Sequence, residues 1–67
     1  MNDATIQITL DTALRSLDSA TWYVLEAGRW LRKRPPDPTR SLHLVGHGRA
    51  KLADVTDLLQ AVSRGGL

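Results

Sequence analysis

The spacing of apolar residues changes along this chain. Over residues 4–10 apolar and polar side chains alternate, with Ile6, Ile8 and Leu10 on one side. Alternation of this kind, with many β-branched residues, predicts a half-buried strand. From about residue 12 the apolar spacing becomes helical, and this helix is predicted to continue to about residue 34. The prolines of the loop 35–39 then end it, because proline lacks the backbone N–H that a helix needs.

The second half of the chain is predicted to repeat this order of elements. A second short strand is expected over residues 41–46, a glycine loop over 46–49 and a second helix over about 51–64. The order β-α-β-α predicts one small α/β domain over residues 1–67. A right-handed crossover is expected if the two strands pair in parallel. Two strands leave both edges of the sheet open, and open edges recruit another chain, so we expect dimerisation to complete the domain.

Composition limits the classes of protein to consider. The chain has 67 residues, no cysteine and only three aromatic side chains, Trp22, Tyr23 and Trp30. A core built from so few large residues is small, which again favours a partner. The N-terminal residues do not resemble a secretory signal, and no apolar run approaches the ~20 residues of a membrane span. We therefore expect a cytoplasmic protein, in which association with the nucleoid would be compatible with its charge.

No arrangement of side chains predicts catalysis. A nucleophile, a base and an orienting group cannot be assigned, so we expect neither an enzyme nor a bound cofactor. His43 and His47 do not predict a metal site. Four positions along a strand separate them by about 13 Å, and no cysteine is available as a further ligand.

Positive charge is concentrated in the middle of the sequence. Residues 27–51 contain seven lysines and arginines against the single acid Asp37, which gives a net charge of +6. The remaining residues contain two basic against six acidic side chains, which gives −4. A block this basic predicts an anionic partner. On charge alone, a solvated helix end followed by a charged loop explains the same residues equally well.

The predicted glycine loop is the most specific candidate site. Gly46, His47 and Gly48 stand between a predicted strand and a predicted helix, where backbone N–H groups and a helix N-terminus can bind phosphate. The alternative is a tight turn that needs positive φ. Arg49 and Lys51 beside the glycines favour phosphate contact, with little dependence on base sequence. The predicted nucleic-acid-binding residues, DNA or RNA, are Arg32, Lys33, Arg34, Arg40, Gly46, His47, Gly48, Arg49 and Lys51.

The tryptophans support a second hypothesis of a different class. Trp22 and Trp30 are eight residues apart, roughly on one face of the predicted helix. Aromatic side chains often anchor protein interfaces. The alternative function is therefore a small inhibitor or adaptor that docks on a protein partner through Trp22 and Trp30.

Two segments carry a resemblance to a known family. The stretch "SLHLVGHGRAKLADVTDLLQAV" resembles the second strand, Gly-x-Gly-Arg-Ala loop and second helix of the Alba superfamily, and "YVLEAGRWL" resembles its first helix. The resemblance implies an Alba-like α/β domain that dimerises and binds double-stranded DNA or RNA mainly through phosphates. It would be associated with chromatin or with RNA. Arg49 matches the loop arginine of the family, and Gly46 and Gly48 match its loop glycines.

The sequence also departs from the family pattern. Leu10-Asp11-Thr12 is acidic where the family carries a lysine pair after the first strand. The β-hairpin that closes the family's domain has no counterpart after the predicted second helix. The chain is thus expected to be a truncated form that depends on a second copy to complete its sheet.

Overall fold

The computed structural model describes residues 3–65, which form two antiparallel helices. Helix α1 spans Asp3–Arg32, helix α2 spans Pro38–Ser63, and residues 33–37 join them. The described residues contain no strand. The predicted β-α-β-α order is therefore wrong, and the chain is a helical hairpin instead of an α/β domain. The Alba resemblance is wrong for the same reason, because that fold requires a sheet.

The predicted first strand is the beginning of α1. Ile6 and Leu10 are four residues apart, and the apolar spacing continues from them in alternating steps of three and four into the rest of the helix. This seven-residue periodicity places Ile6 in the row that meets α2 and Leu10 in the row next to it. Thr9 and Thr12 fit the helix because their hydroxyls donate to carbonyl oxygens one turn earlier, at 3.0 Å each. Packing of the apolar row thus overrides the strand preference of the β-branched residues.

The predicted second strand, the glycine loop and the predicted second helix all lie inside α2. The helix begins at Pro38, a favoured residue for a first helical position. The carboxylate of Asp37 accepts a hydrogen bond from the backbone N–H of Arg40 at 3.0 Å and so caps this end. The proline segment, which was predicted only to end one helix, also starts the next. At the other end Gly65 adopts a φ of 65°, as residues after a helix often do.

Small residues bring the two helices together. Three alanines spaced by seven residues are buried on α1, and three residues with the same spacing are buried on α2. A Cβ atom added to Gly48 would lie 3.5 Å from the Cβ of Tyr23 and 3.6 Å from the carbonyl oxygen of Ala20. The backbones approach closely along this seam, which consists of Ala13, Ala20, Ala27, Ser41, Gly48 and Val55. No large side chain is fully buried in the part of the chain that is described.

The hairpin is a single layer of two helices with two different faces. Its Cα atoms extend over 52 × 15 × 11 Å, and since it consists of two helices side by side it is one helix layer thick. On one side of the seam lies the Leu/Val face, whose members are Leu10, Leu17, Val24 and Leu31 of α1 and Val45, Leu52 and Leu59 of α2. On the other side lies the polar face, where Leu44 and Leu58 are half-buried among Thr12, Ser16, Tyr23, Trp30, Arg40, His43, His47 and Asp54.

Neither helix, over residues 3–65, is both long and apolar enough to cross a lipid bilayer.

Candidate nucleic-acid interface

Folding into a hairpin converts the charge pattern of the sequence into a charge gradient in space. Ser41 bonds to Ala27 across the seam, so residues 27–41 form the part of the hairpin that contains the loop, here called the loop end. This part contains five basic side chains against Asp37, which gives a net charge of +4. The rest of the hairpin, in which α1 begins and α2 finishes, is here called the open end and contains four basic against six acidic side chains, which gives −2.

Most cations of the loop end have no carboxylate partner. Among the described residues the single salt bridge joins Arg29 to Glu26, with 3.6 Å between nitrogen and oxygen. Two other cations lie on an aromatic ring. The Lys33 ammonium is 4.2 Å from the centroid of the Trp30 ring, and the Arg40 guanidinium carbon is 4.3 Å from it. Cation–π contacts hold a charge in place while leaving its hydrogen-bond donors free for an anion.

A shallow groove runs along the polar face beside the loop. It has a volume of about 370 Å³ and is lined by Asp37, Thr39, Arg40, His43, Leu44 and His47. The imidazole of His47 stacks on the Tyr23 ring of α1, with ring centroids 5.2 Å apart and 21° between the planes. This stack forms the end of the groove farther from the loop.

The two histidines are closer than a strand would place them. On α2 His43 and His47 are one turn apart, so the predicted separation of 13 Å does not apply. In the described range no group of three or more histidine, cysteine or acidic side chains is placed to hold a metal ion.

The predicted phosphate cradle does not form. Gly46, His47, Gly48 and Arg49 are interior residues of α2, where the backbone N–H groups bond within the helix and do not face an anion. The N-terminus of α2 lies near the loop, and Asp37 already occupies it as the cap. The two glycines differ in role, because Gly48 packs against α1 whereas nothing lies within 4 Å of a Cβ added to Gly46.

Four of the six cations predicted to bind nucleic acid lie at the loop end, and the other two lie farther along α2. Arg32 ends α1, Lys33 and Arg34 lie in the loop, and Arg40 is in the first turn of α2. Arg49 and Lys51 lie near the middle of α2, on different sides of it. Arg49 is four residues after Val45 and three before Leu52, so it borders the Leu/Val face. Lys51 is half-buried beside the seam on the polar side.

The two tryptophans have different surroundings. Trp22 is 56% exposed and makes an edge contact with the Tyr23 ring, with centroids 5.2 Å apart. Trp30 is half-buried, and its ring carries Lys33 and Arg40. Eight helical residues also turn the two side chains about 80° apart around α1. Trp22 therefore stands alone as an exposed aromatic, while Trp30 belongs to the cationic cluster.

The predictions did not identify the Leu/Val face as a candidate site. Its members are large and open to solvent, with Val24 54%, Leu31 52% and Leu52 44% exposed. A shallow depression on this face is lined by Leu17, Val24, Leu25 and Leu52, together with Ala20 and Thr21. The signal that could have revealed it is the seven-residue spacing of apolar residues in both halves of the chain. Because residues 41–46 were predicted to form a strand, the seven-residue spacing that runs through them was not recognised.

No family model, no curated protein and no solved structure matches this chain.

Proposed function

We propose that this hairpin binds nucleic acid, DNA or RNA, through phosphate contacts made by the cations of its loop end. The observation that carries the proposal is the gradient of charge along the molecule. A net charge of +4 is concentrated around one short loop, whereas the rest of the hairpin has a net charge of −2. Electrostatic binding to phosphates needs this concentration of cations and does not need a sheet or a recognition loop.

The cations best placed for phosphates are those of the loop and the first turn of α2. Lys33, Arg34 and Arg40 are exposed, and none of them forms an ion pair with another residue of the range 3–65. Trp30 restrains two of them, so binding a phosphate would require less ordering of flexible side chains. Arginine adds a planar fork of donors that matches two phosphate oxygens. Contacts of this type carry little information about base sequence, so we infer low sequence specificity.

The proposed role is binding without catalysis. A protein of this kind would act in the cytoplasm, in contact with the nucleoid or with RNA. If six phosphates are contacted, the slope of log K against log salt should be about −5 on duplex DNA. Fluorescence anisotropy with labelled random duplex DNA and RNA, measured over a series of salt concentrations, gives both the affinity and this slope.

A matched pair of double variants tests the location of the contact. Lys33→Gln with Arg34→Gln removes two positive charges from the loop end. Arg15→Gln with Arg64→Gln removes two from the open end and changes the net charge equally. The loop variant should weaken binding by about tenfold or more and reduce the salt slope by about two units. The open-end variant should change the affinity much less.

Two results would contradict the proposal. One is the absence of binding to either nucleic acid at low salt. The other is equal weakening by the two double variants, which would mean that net charge acts without a site.

A further inference from the structure

The Leu/Val face lies uncovered on a molecule that is only one helix thick. Helical domains bury their apolar stripes against a second layer, and this hairpin supplies only the first. The seam between α1 and α2 is filled by small residues, so the large apolar side chains lie outside it. The sequence led us to expect dimerisation through open sheet edges. The structure has this uncovered apolar face instead, and it is the surface that a partner would cover.

We propose that a second copy of the chain covers the Leu/Val face, packed face to face and antiparallel, to form a four-helix bundle. Each loop end would then lie against the open end of the partner. In this arrangement the two-fold axis is perpendicular to the helices. Each α1 then packs antiparallel on the α1 of the partner, and each α2 packs antiparallel on the partner's α2. This inference concerns the face opposite the histidine groove and does not depend on nucleic-acid binding.

The size of the face suits a stable dimer. The layer measures 52 by 15 Å between Cα extremes. That footprint is about 780 Å², close to the roughly 800 Å² that each partner buries in a standard stable interface. The apolar rows repeat every seven residues on both helices, which is the spacing that keeps a helix seam facing a partner along its whole length.

The distribution of charge along α1 favours a second copy as the partner and an antiparallel orientation of the two copies. A row on the outer flank of the Leu/Val face of α1 contains Asp11, Asp18, Leu25 and Arg32, one at every seventh residue. It is acidic near the open end and basic near the loop end. The Arg32 guanidinium folds back over the Leu/Val side of the helix, 3.3 Å from where a Cβ of Gly28 would lie. In an antiparallel pair Arg32 approaches the acidic half of the partner's α1.

The parallel arrangement is electrostatically unfavourable. It would bring two loop ends of charge +4 together and two open ends of charge −2 together. Complementary charge mainly determines orientation and register, while the apolar surface stabilises the association.

The first experiment measures mass and direction. Sedimentation equilibrium of the full chain at micromolar concentration should give twice the 7.4 kDa of one copy. The chain has no cysteine, so Thr39→Cys allows a single spin label at the exposed loop end. In the antiparallel dimer the two labels should be more than about 35 Å apart, and in a parallel dimer they would lie within about 20 Å. A helical monomer would overturn the proposal, and so would the short distance.

A matched pair of variants tests the face. Leu52→Glu adds one charge to the Leu/Val face and should weaken dimerisation at least about 100-fold, whether or not the separated chains stay folded. Ile8→Glu adds the same charge at an exposed apolar residue on the other side of α1, half a turn away from Leu17. That variant should remain a dimer. A dimer unaffected by Leu52→Glu would show that another surface forms the contact.

Discussion

The hydroxyl of Ser41 donates a hydrogen bond to the carbonyl oxygen of Ala27, 3.0 Å away in the buried seam between the helices. Ala27 lies in the last third of α1 and Ser41 in the first turn of α2, so the bond joins the helices just beyond the loop. A buried hydroxyl without a partner would be costly, and the carbonyl oxygen is the acceptor that satisfies it here. The bond and the small side chain together permit the close approach of the two backbones.

Replacing Ser41 with alanine should destabilise the fold modestly. The lost hydrogen bond contributes about 1 kcal/mol, and the better helix propensity of alanine offsets roughly half of it. We expect a net loss of about 0.5 kcal/mol in urea denaturation at fixed protein concentration. Ser63→Ala, at an exposed position at the end of α2, is the control and should show no loss. A Ser41→Ala protein as stable as the parent would mean that the buried bond adds nothing to folding.

Replacing Asp37 with alanine should weaken the start of α2. The carboxylate accepts from the Arg40 N–H at 3.0 Å, and removal of an N-cap of this type costs about 1 kcal/mol. In a domain of this size that corresponds to a drop in Tm of about 4–8 °C, measurable by circular dichroism. Asp37→Asn keeps a side-chain oxygen as acceptor and should retain most of the stability. Equal losses in the two variants would show that the cap oxygen is not what matters.

Much of the helical content could be predicted from sequence, but the apolar pattern of a few consecutive residues could not exclude strands at residues 4–10 and 41–46. The helix predicted over 12–34 lies largely within α1, and the helix predicted over 51–64 largely within α2. The error arose where Ile6, Ile8 and Leu10 alternate, because all three fit a strand period, whereas only Ile6 and Leu10 fit the helix period and Ile8 lies exposed on the other side of α1. Only the seven-residue spacing, followed through residue 31, distinguishes the two.

The glycines misled the prediction of the site for a related reason. Glycine disfavours helix interiors, so a pair around His47 indicated a turn. The competing requirement was close approach of two helices at Gly48, which no local pattern reveals. The basic character of the middle of the chain was visible from composition. That several of these basic residues lie together at one end of a hairpin became visible only with the antiparallel fold.

The two glycines should respond oppositely to a large side chain. Gly46 faces open space, so Gly46→Leu should gain helix propensity and raise stability by about 0.5–1 kcal/mol. Gly48 faces Ala20 and Tyr23 at contact distance, so Gly48→Leu should force the helices apart and cost about 2 kcal/mol or more. Thermal unfolding of both variants compares the same substitution two residues apart. Equal stabilities would show that α1 does not pack on α2 at Gly48.

The stack of Tyr23 on His47 should couple the two helices energetically. Their rings are 5.2 Å apart and nearly parallel, and they belong to helices that are joined only by the loop at the far end of the groove. Stacked aromatic pairs contribute about 0.5–1.5 kcal/mol beyond the area they bury. A double-mutant cycle with Tyr23→Leu, His47→Leu and the double variant isolates this term from the loss of each side chain alone. We expect a coupling free energy of about 0.5–1 kcal/mol in urea denaturation at constant protein concentration. Strict additivity of the two single variants would show that the rings lie side by side without stabilising the hairpin.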